Sequence, residues 1–378
     1  MRRLNHDINR EVRLFMNKAY VFRLYPNAEQ KIMLAKTFGC VRFIYNKMLK
    51  DRIDYYKETG KSLNNTPAQY KSEFTWLKEV DSLALANAQL NLNRAYTNFF
   101  SKQKVGFPKF KSKKKHRFSY STNNQKGSVR IENGCIRLPK VGFVKLKQHR
   151  EILPNSIIKT VTVRQNPSGK YYVSILVEYD NQILPIIPHK FVGLDFSMHE
   201  LFVDSEGNCP EYPRPYRKAE KRLARLQRKF SRTKNTSNNH QKLRIKVARL
   251  HEHTANQRKD FLHKKSAELT MQYDVVGIED LDMKSMAKSL HFGKSISDNG
   301  WGMFTNMLSY KLAWQGKQLI KIDKWFPSSQ LCHVCGYQNK NTKNLNIREW
   351  DCPQCNTHHN RDINAAINIR EEARRMSA

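Results

Sequence analysis

Two pairs of cysteines near the C-terminus constrain this chain more than any other feature. Cys332 and Cys335 stand in SSQLCHVCG, and Cys352 and Cys355 in WDCPQC. A two-residue gap lets a tight knuckle aim both sulfurs of a pair at one ion, and a separation of roughly 16 residues between the pairs suits a four-cysteine zinc ribbon. Disulfides or inert buried thiols would use the same residues, but nothing else in the sequence has a secreted character. Four thiolates close a tetrahedral structural site around one Zn2+. His333, His358 and His359, near enough to compete, are therefore read as surface or nucleic-acid contacts.

Directly after the ribbon comes HNRDINAAINI, in which Asn364, Ala365, Ala366 and Asn368 predict a helix packed closely through small residues. Asp362 sits near its start, where a carboxylate ordinarily serves as a cap. Two other segments suggest a different role. In FVGLDFSMHELFVDSEGN an apolar run carries Asp195, and Leu201 to Val203 return as the second strand of a hairpin. In YDVVGIEDLDMKSM, Val275 to Ile278 form a short buried strand that delivers Glu279 at its end. Three acids delivered from buried elements can converge on divalent metal, because hard cations take carboxylate oxygens. Two such ions about 4 Å apart activate a water and stabilise the leaving oxygen in phosphodiester cleavage. An Asp, Glu, Asp set on a mixed sheet is what an RNase-H-like nuclease fold offers for that chemistry.

The charge points the same way. With 68 Lys and Arg against 33 Asp and Glu, the 378-residue chain carries a formal net charge of +35. That charge is rational if polyanions offset it through phosphate contacts. A membrane surface is the competing partner, but the cations are spread along the chain rather than gathered on one amphipathic helix. No run approaches a membrane span and the N-terminus lacks the apolar core of a signal peptide, so the expectation is a cytoplasmic, nucleoid-associated protein. Cys40, Cys135 and Cys209 are isolated, and translation from Met16 is an alternative start.

In chain order, Ala19 to Tyr25 read as a strand that Pro26 and Asn27 end. Apolar residues then recur at helical spacing to Leu49, predicting a helix or a helix pair broken near Gly39, with further helices over Tyr70 to Val80 and Leu83 to Phe100. KVGFPKFKSKKKHR is the densest charge run, with Phe107 and Phe110 interleaved, and FSYSTNN follows it. Lys109, Lys111, Lys113, Lys114 and Lys115 are candidate phosphate contacts, and Thr122 and Asn123 candidate base contacts; Arg361 joins them as a nucleic-acid-binding candidate. Short strands fill residues 129–179, with a clear hairpin pairing Ile157 to Gln165 with Tyr171 to Tyr179. A basic helical hairpin spans Arg217 to Phe230 and His240 to Leu269, and Lys284 to Trp301 fit a mobile loop over the acids. A helix from Met303 to Leu312 and a strand from Leu319 to Lys324 follow.

Taken together, KAYVFRLYPNAEQ, GFPKFKSKKK, the GLD of Asp195, the GIEDL of Glu279, SISDNGWGMF, FPSSQLCHVCG, and CPQC followed by HNRDINAAINI resemble the TnpB proteins of bacterial insertion sequences, relatives of type V CRISPR effectors. The resemblance covers all but about the first 16 residues. It implies an RNA-guided endonuclease that uses a guide RNA from its own element to cut double-stranded DNA beside a short flanking motif. It also implies that Asp195, Glu279 and Asp362 are RuvC-type catalytic residues holding two Mg2+. The implied fold is an α+β multidomain chain with four parts. They are a β-barrel wedge (1–25 and 105–190), an inserted helical recognition lobe (26–104), an RNase-H-like RuvC core (191–327 and 356–378) and an inserted zinc ribbon (328–355). This chain departs from the family in having Phe196 and Ser197 after the first acid, where a DxG pattern is usual, and Asn360 where HDRD is common. A nuclease-inactive guided repressor, a DDE-type transposase and a plain zinc-ribbon DNA-binding protein are the rival readings. Monomer and dimer are both compatible with the sequence.

Overall fold

The structure, a computed structural model, describes residues 15–102, 105–115, 118–180, 183–283, 285–286, 298–344 and 346–377. The chain divides into two units, residues 1–182 and 183–378.

The first unit is built on one antiparallel sheet. Its strands are β1 (Phe15–Tyr25), β2 (Phe118–Asn123), β3 (Arg130–Glu132), β4 (Cys135–Leu138), β5 (Gly142–Lys147), β6 (Ile157–Gln165) and β7 (Tyr171–Asp180). They lie in the order β2-β6-β7-β1-β5-β4-β3. The predicted hairpin of β6 and β7 is present, with Gln165 opposite Tyr171 and Ile157 opposite Glu178. Pro26 ends β1, and Asn27 caps helix α1 (Ala28–Thr59) through a capping box with Gln30. α1 runs unbroken through Gly39. The buried row of Leu34, Phe38, Val41, Ile44, Met48 and Leu49 outweighs the roughly 1 kcal/mol that one interior glycine costs a helix. Residues Tyr70 to Val80 are not an α-helix but lie mostly in two short 3-10 turns, Pro67–Lys71 and Thr75–Glu79. Phe74, Leu77 and Val80 are three apart, a spacing that stacks side chains in a 3-10 turn. Asp81 then caps helix α2 (Ser82–Ser101) by accepting from the Leu83 amide. Both helices share one apolar core with the sheet.

The second unit carries a four-stranded sheet of β8 (Phe191–Phe196), β9 (Phe202–Asp204), β10 (Val275–Glu279) and β11 (Gln318–Ile322), in the order β11-β10-β8-β9. β8, β10 and β11 are parallel, and β9 is antiparallel to β8. Around it lie α3 (Pro215–Ser231), α4 (Asn238–Gln272), α5 (Trp301–Ala313) and α6 (Arg361–Ser377), and a small ribbon of β12 (Glu349–Asp351) and β13 (His358–Asn360). The predicted helical hairpin is α3 and α4, longer by one to three residues at each end. Most of the expected loop from Lys284 to Trp301 lies outside the described residues.

The two faces of this sheet differ in composition, and strand alternation explains how. Val192, Leu194, Val276 and Ile278 pack into a core with Leu262, Phe304 and Leu308 of α4 and α5. The alternate positions, Gly193 and Gly277, meet α6. A Cβ on Gly277 would lie 2.7 Å from the Ala373 methyl, and one on Gly193 would strike the Ala366 carbonyl. Two residues further along the same face of each strand stand Asp195 and Glu279. Among the described residues no helix is long and apolar enough to cross a membrane.

Gly193→Ala forces α6 off its strand and is expected to cost about 2–3 kcal/mol in chemical denaturation. Gly39→Ala, whose Cβ meets nothing within 4 Å, is expected to raise stability by about 0.5–1 kcal/mol.

Candidate metal centres

The four cysteines form the first centre. Cys332, Cys335, Cys352 and Cys355 bring their sulfurs within 4.8 Å of one another, the only group of three or more His, Cys, Asp or Glu side chains to do so among the described residues. Sγ of Cys332 lies 3.6 Å from that of Cys355, and Sγ of Cys335 lies 3.6 Å from that of Cys352. A tetrahedron with Zn–S bonds of about 2.3 Å has edges of about 3.8 Å, whereas a disulfide needs about 2.05 Å. The donor set and spacing fit a structural zinc ion, and the seven cysteines are all free thiols.

The histidines divide differently from the sequence expectation. His358 is exposed, with Nδ1 2.8 Å from an Asp351 oxygen. His359 is only 2% exposed, so it is no surface contact. Its ring lies 4.6 Å from that of Trp350, and its Nε2 is 3.1 Å from the Cys332 sulfur. It therefore packs as a partner behind a ligand, the position from which a metal site is oriented. His333 is engaged by α6: its backbone amide and Nδ1 meet Asn364 Oδ1 at 3.1 and 2.9 Å.

The second centre is the carboxylate set. β8 supplies Asp195, β10 ends on Glu279, and α6 carries Asp362 in its first turn. Burial and the neighbouring charges of Glu279 and Asp362 hold the Asp195 carboxyl well above the usual carboxylate range, with Arg361 opposing them. Burial also raises Glu279, against a hydrogen bond from Ser328 Oγ to its Oε1 at 2.6 Å. Asp362 pairs with Arg348 at 2.9 Å and with Arg361 at 3.3 Å.

Asp362 is not the helix cap. That work falls to Asn360, whose Oδ1 accepts from the amides of Asp362 and Ile363 at 3.1 and 3.2 Å. The Asp362 carboxylate itself is held by the two arginines and lies near enough to Asp195 to act on its charge. Phe196 and Ser197 are likewise absorbed locally: the Phe196 ring packs edge-on to Trp301 at 5.4 Å, and Ser197 Oγ donates to Glu200 at 2.8 Å.

Sequence reasoning missed the groups that join the two centres. Asn364 Nδ2 donates to the Leu331 carbonyl at 2.7 Å, and Asn368 Nδ2 donates to the Ser328 and Leu331 carbonyls at 2.8 and 2.7 Å. These asparagines, four apart on α6, grip the segment that begins the cysteine knuckle and also positions Glu279. Their spacing in NAAIN was the available signal.

The proposed nucleic-acid contacts are unevenly placed. Lys109, Lys113 and Lys114 are exposed. Lys111 holds its ammonium 3.8 Å from the Tyr45 ring centre; of Lys115 only the backbone is described. Thr122 is fully buried and its hydroxyl donates to Asp81, so it secures the core and cannot reach a base. Asn123 Oδ1 accepts from Thr160 at 3.3 Å. Arg361 is only 8% exposed and its guanidinium points to the Asn344 and Ile347 carbonyls as well as Asp362, which makes it part of the acidic centre.

Two outcomes follow. The purified chain is expected to hold one zinc per molecule by colorimetric release, and Cys352→Ser to lose it together with a large fall in thermal stability. Asn360→Ala is expected to cost about 1 kcal/mol as a lost cap, while Asn360→Asp leaves stability within a few tenths, both read from urea midpoints.

Comparison with known proteins bears on both centres. The family model described as Cas12f1-like, TNB domain matches residues 301–369, which hold the ribbon and the third acid. The model described as Probable transposase matches residues 174–290, which hold the first two acids. One described as Helix-turn-helix domain matches residues 16–61, which here form β1 and α1. A protein of Streptomyces pristinaespiralis named "Putative RNA-guided DNA endonuclease" is 37% identical over 362 residues, covering 94% of this chain and 89% of its own length. InsQ of Escherichia coli (strain K12), which bears the same name, is 32% identical over 376 residues, covering 93% and 91%. Among solved structures, the cryo-EM structure of a Cas12f1–sgRNA–target DNA complex superimposes with a TM-score of 0.61 at 14% identity, over 94% of this chain and 98% of that one, which shows a shared fold. With relatives of this identity aligned along nearly its whole length, the chain belongs to the TnpB family of RNA-guided DNA endonucleases, the OrfB proteins of IS605-type insertion sequences.

Proposed function

We propose that this protein binds a guide RNA derived from its own mobile element and cuts double-stranded DNA beside a short flanking motif, with Asp195, Glu279 and Asp362 as its catalytic residues. The observation that carries the reading is the convergence of these three carboxylates from two parallel strands and one helix, in a chain whose relatives are named as RNA-guided DNA endonucleases.

The residues fit a pair of Mg2+ ions. All three donors are hard oxygen ligands, and Asp195, raised by burial and by the charges of Glu279 and Asp362 beside it, sits where a cation would relieve the crowding. When bound, such ions supply an activated water and stabilise the leaving oxygen. The chain's own part is positional. Asp195 is electrostatically coupled to the other two acids, Ser328 fixes one Glu279 oxygen, and Asn360 caps the helix start that carries Asp362. One such centre would cut the two DNA strands in succession.

Substrate binding is assigned by charge. On the α3–α4 hairpin, Arg222, Arg225, Lys246 and Arg249 line a groove of about 470 Å3, suited to the phosphates of a guide–target duplex. The division into wedge (1–25 and 105–190), recognition lobe (26–104), RuvC-like nuclease (191–327 and 356–378) and zinc ribbon (328–355) is part of this proposal. So are barrel-like curling of the seven-stranded sheet, an RNase-H-like identity for the four-stranded one, and a cytoplasmic, nucleoid-associated place of action.

The test is to purify the protein from cells carrying its native flanking DNA, sequence the co-purified RNA, and incubate the complex with matching plasmids of randomised flank. Linearisation is expected in magnesium and not in EDTA. Asp195→Ala should lower the cleavage rate at least about 1,000-fold, roughly 4 kcal/mol of barrier, while leaving guided DNA binding intact. Guided binding without cutting by the wild type would instead establish the repressor reading.

A further inference from the structure

The helical face of the first unit carries an aromatic pocket that the cleavage chemistry does not use. α2 sets Tyr96, Phe99 and Phe100 on one side by their three- and four-residue spacing. The last turns of α1 bring Arg52 and Tyr56 to the opposite wall, and Phe107 closes the pocket. Phe107 meets Tyr96 edge-on at 5.6 Å and Phe99 at 5.4 Å. The cavity measures about 580 Å3, within the range of ligand sites. Its aromatic rim is left to solvent: Phe100 is 78% exposed, Tyr56 61% and Phe107 43%. A cluster of large exposed rings marks an interaction site.

The charge around the pocket says what kind. Arg52 is fixed by Asn65 and Asn93 at 2.8 Å each and lies 5.8 Å from the Tyr96 ring centre. From Phe107 the chain leads directly to Lys109, Lys113 and Lys114, all exposed. Asn46 pins that segment across α1 by bonding both the amide and the carbonyl of Lys111, at 2.8 and 2.9 Å. Beyond it, Arg42, Lys47, Lys50 and Phe110 line a second hollow of about 360 Å3. Among the described residues neither hollow has a carboxylate in its lining, although Lys47 pairs with Asp51 at 2.9 Å. Rings for stacking beside an excess of cations for phosphate is the composition of a single-stranded nucleic-acid platform.

We propose that the pocket of Tyr56, Phe100 and Phe107 receives an unpaired base of the bound RNA, with the adjoining phosphates along Lys109, Lys113 and Lys114. The assignment rests on the RNA-guided reading. RNA is favoured over DNA because the guide stays in the complex before any target arrives, so it alone can keep the rings covered throughout. Specific RNA recognition also works by stacking splayed bases on aromatic side chains.

The experiment is ultraviolet crosslinking of the intact ribonucleoprotein, followed by mass spectrometry of nucleotide-bearing peptides. The expected result is an RNA adduct on Tyr56, Phe100 or Phe107. Tyr56→Ala with Phe100→Ala should abolish the adduct and weaken binding of the native RNA about 5- to 150-fold, the range for one stacked base, at an unchanged melting temperature. Three results would overturn the proposal: RNA that co-purifies but crosslinks elsewhere and binds the variant as tightly, an adduct seen only with target DNA, or a wild-type dimer that the variant converts to monomer with RNA affinity intact. Absence of any co-purified RNA from the wild type would overturn the guided reading itself, and the pocket assignment with it.

Discussion

The close seat of α6 on the sheet is the contact on which the rest of the nuclease unit depends. Side chains ordinarily fill the space between a helix and the sheet it packs on and hold the two apart. Here Gly193 and Gly277 remove those side chains on two adjacent strands, and Ala366 and Ala373 reduce them on the helix. The helix start is thereby brought to the strand ends, where Asp195 and Glu279 lie on the same face as the glycines. A Gly-x-Asp on one strand and a Gly-x-Glu on the next thus encode one arrangement twice: the glycine admits the helix, and the acid two residues later meets what the helix carries.

The same helix ties the zinc ribbon to the acids. Asn364 and Asn368 hold the backbone of Ser328 and Leu331, and Ser328 in turn holds Glu279. From the far side of the ribbon, Arg348 reaches Asp362. The ribbon is therefore a splint between two of the three acids rather than an appended module. Metal binding to four thiolates contributes folding energy to whatever the knuckle supports, and in this chain the supported groups include the carboxylate that ends β10.

Much of this was legible in the sequence, and the exceptions share a cause. The cysteine spacing, the strand–acid junctions, the β6–β7 hairpin and the small-residue helix each rest on local chemistry that neighbouring residues specify. The Tyr70–Val80 segment was misread because three-residue spacing imitated a helix, and the choice left open at Gly39, one helix or two, was decided by tertiary burial that propensity does not show. Thr122, His359 and Arg361 were read as exposed because polar residue type was taken for position. All three are buried against partners distant in sequence, Asp81, Cys332 and the Asn344 and Ile347 carbonyls, and no local pattern announces such a partner.

Electrostatics explains why a protein this basic keeps three acids together. Polyanion binding across a chain of net charge +35 needs little geometric accuracy, since phosphates attract cations wherever they lie. Cleavage needs the reverse, a place where the protein itself is locally anionic, so that divalent ions collect there rather than being repelled by the surrounding lysines. The short range of screened charge, about 8 Å at physiological ionic strength, allows both in one molecule provided the acids are grouped and partly buried. Arg361, buried beside Asp362, limits their mutual repulsion without neutralising all of it. In the proposed reading, grouping these acids lets cations collect amid a lysine- and arginine-rich surface, while burial first and the neighbouring carboxylates second raise the Asp195 carboxyl.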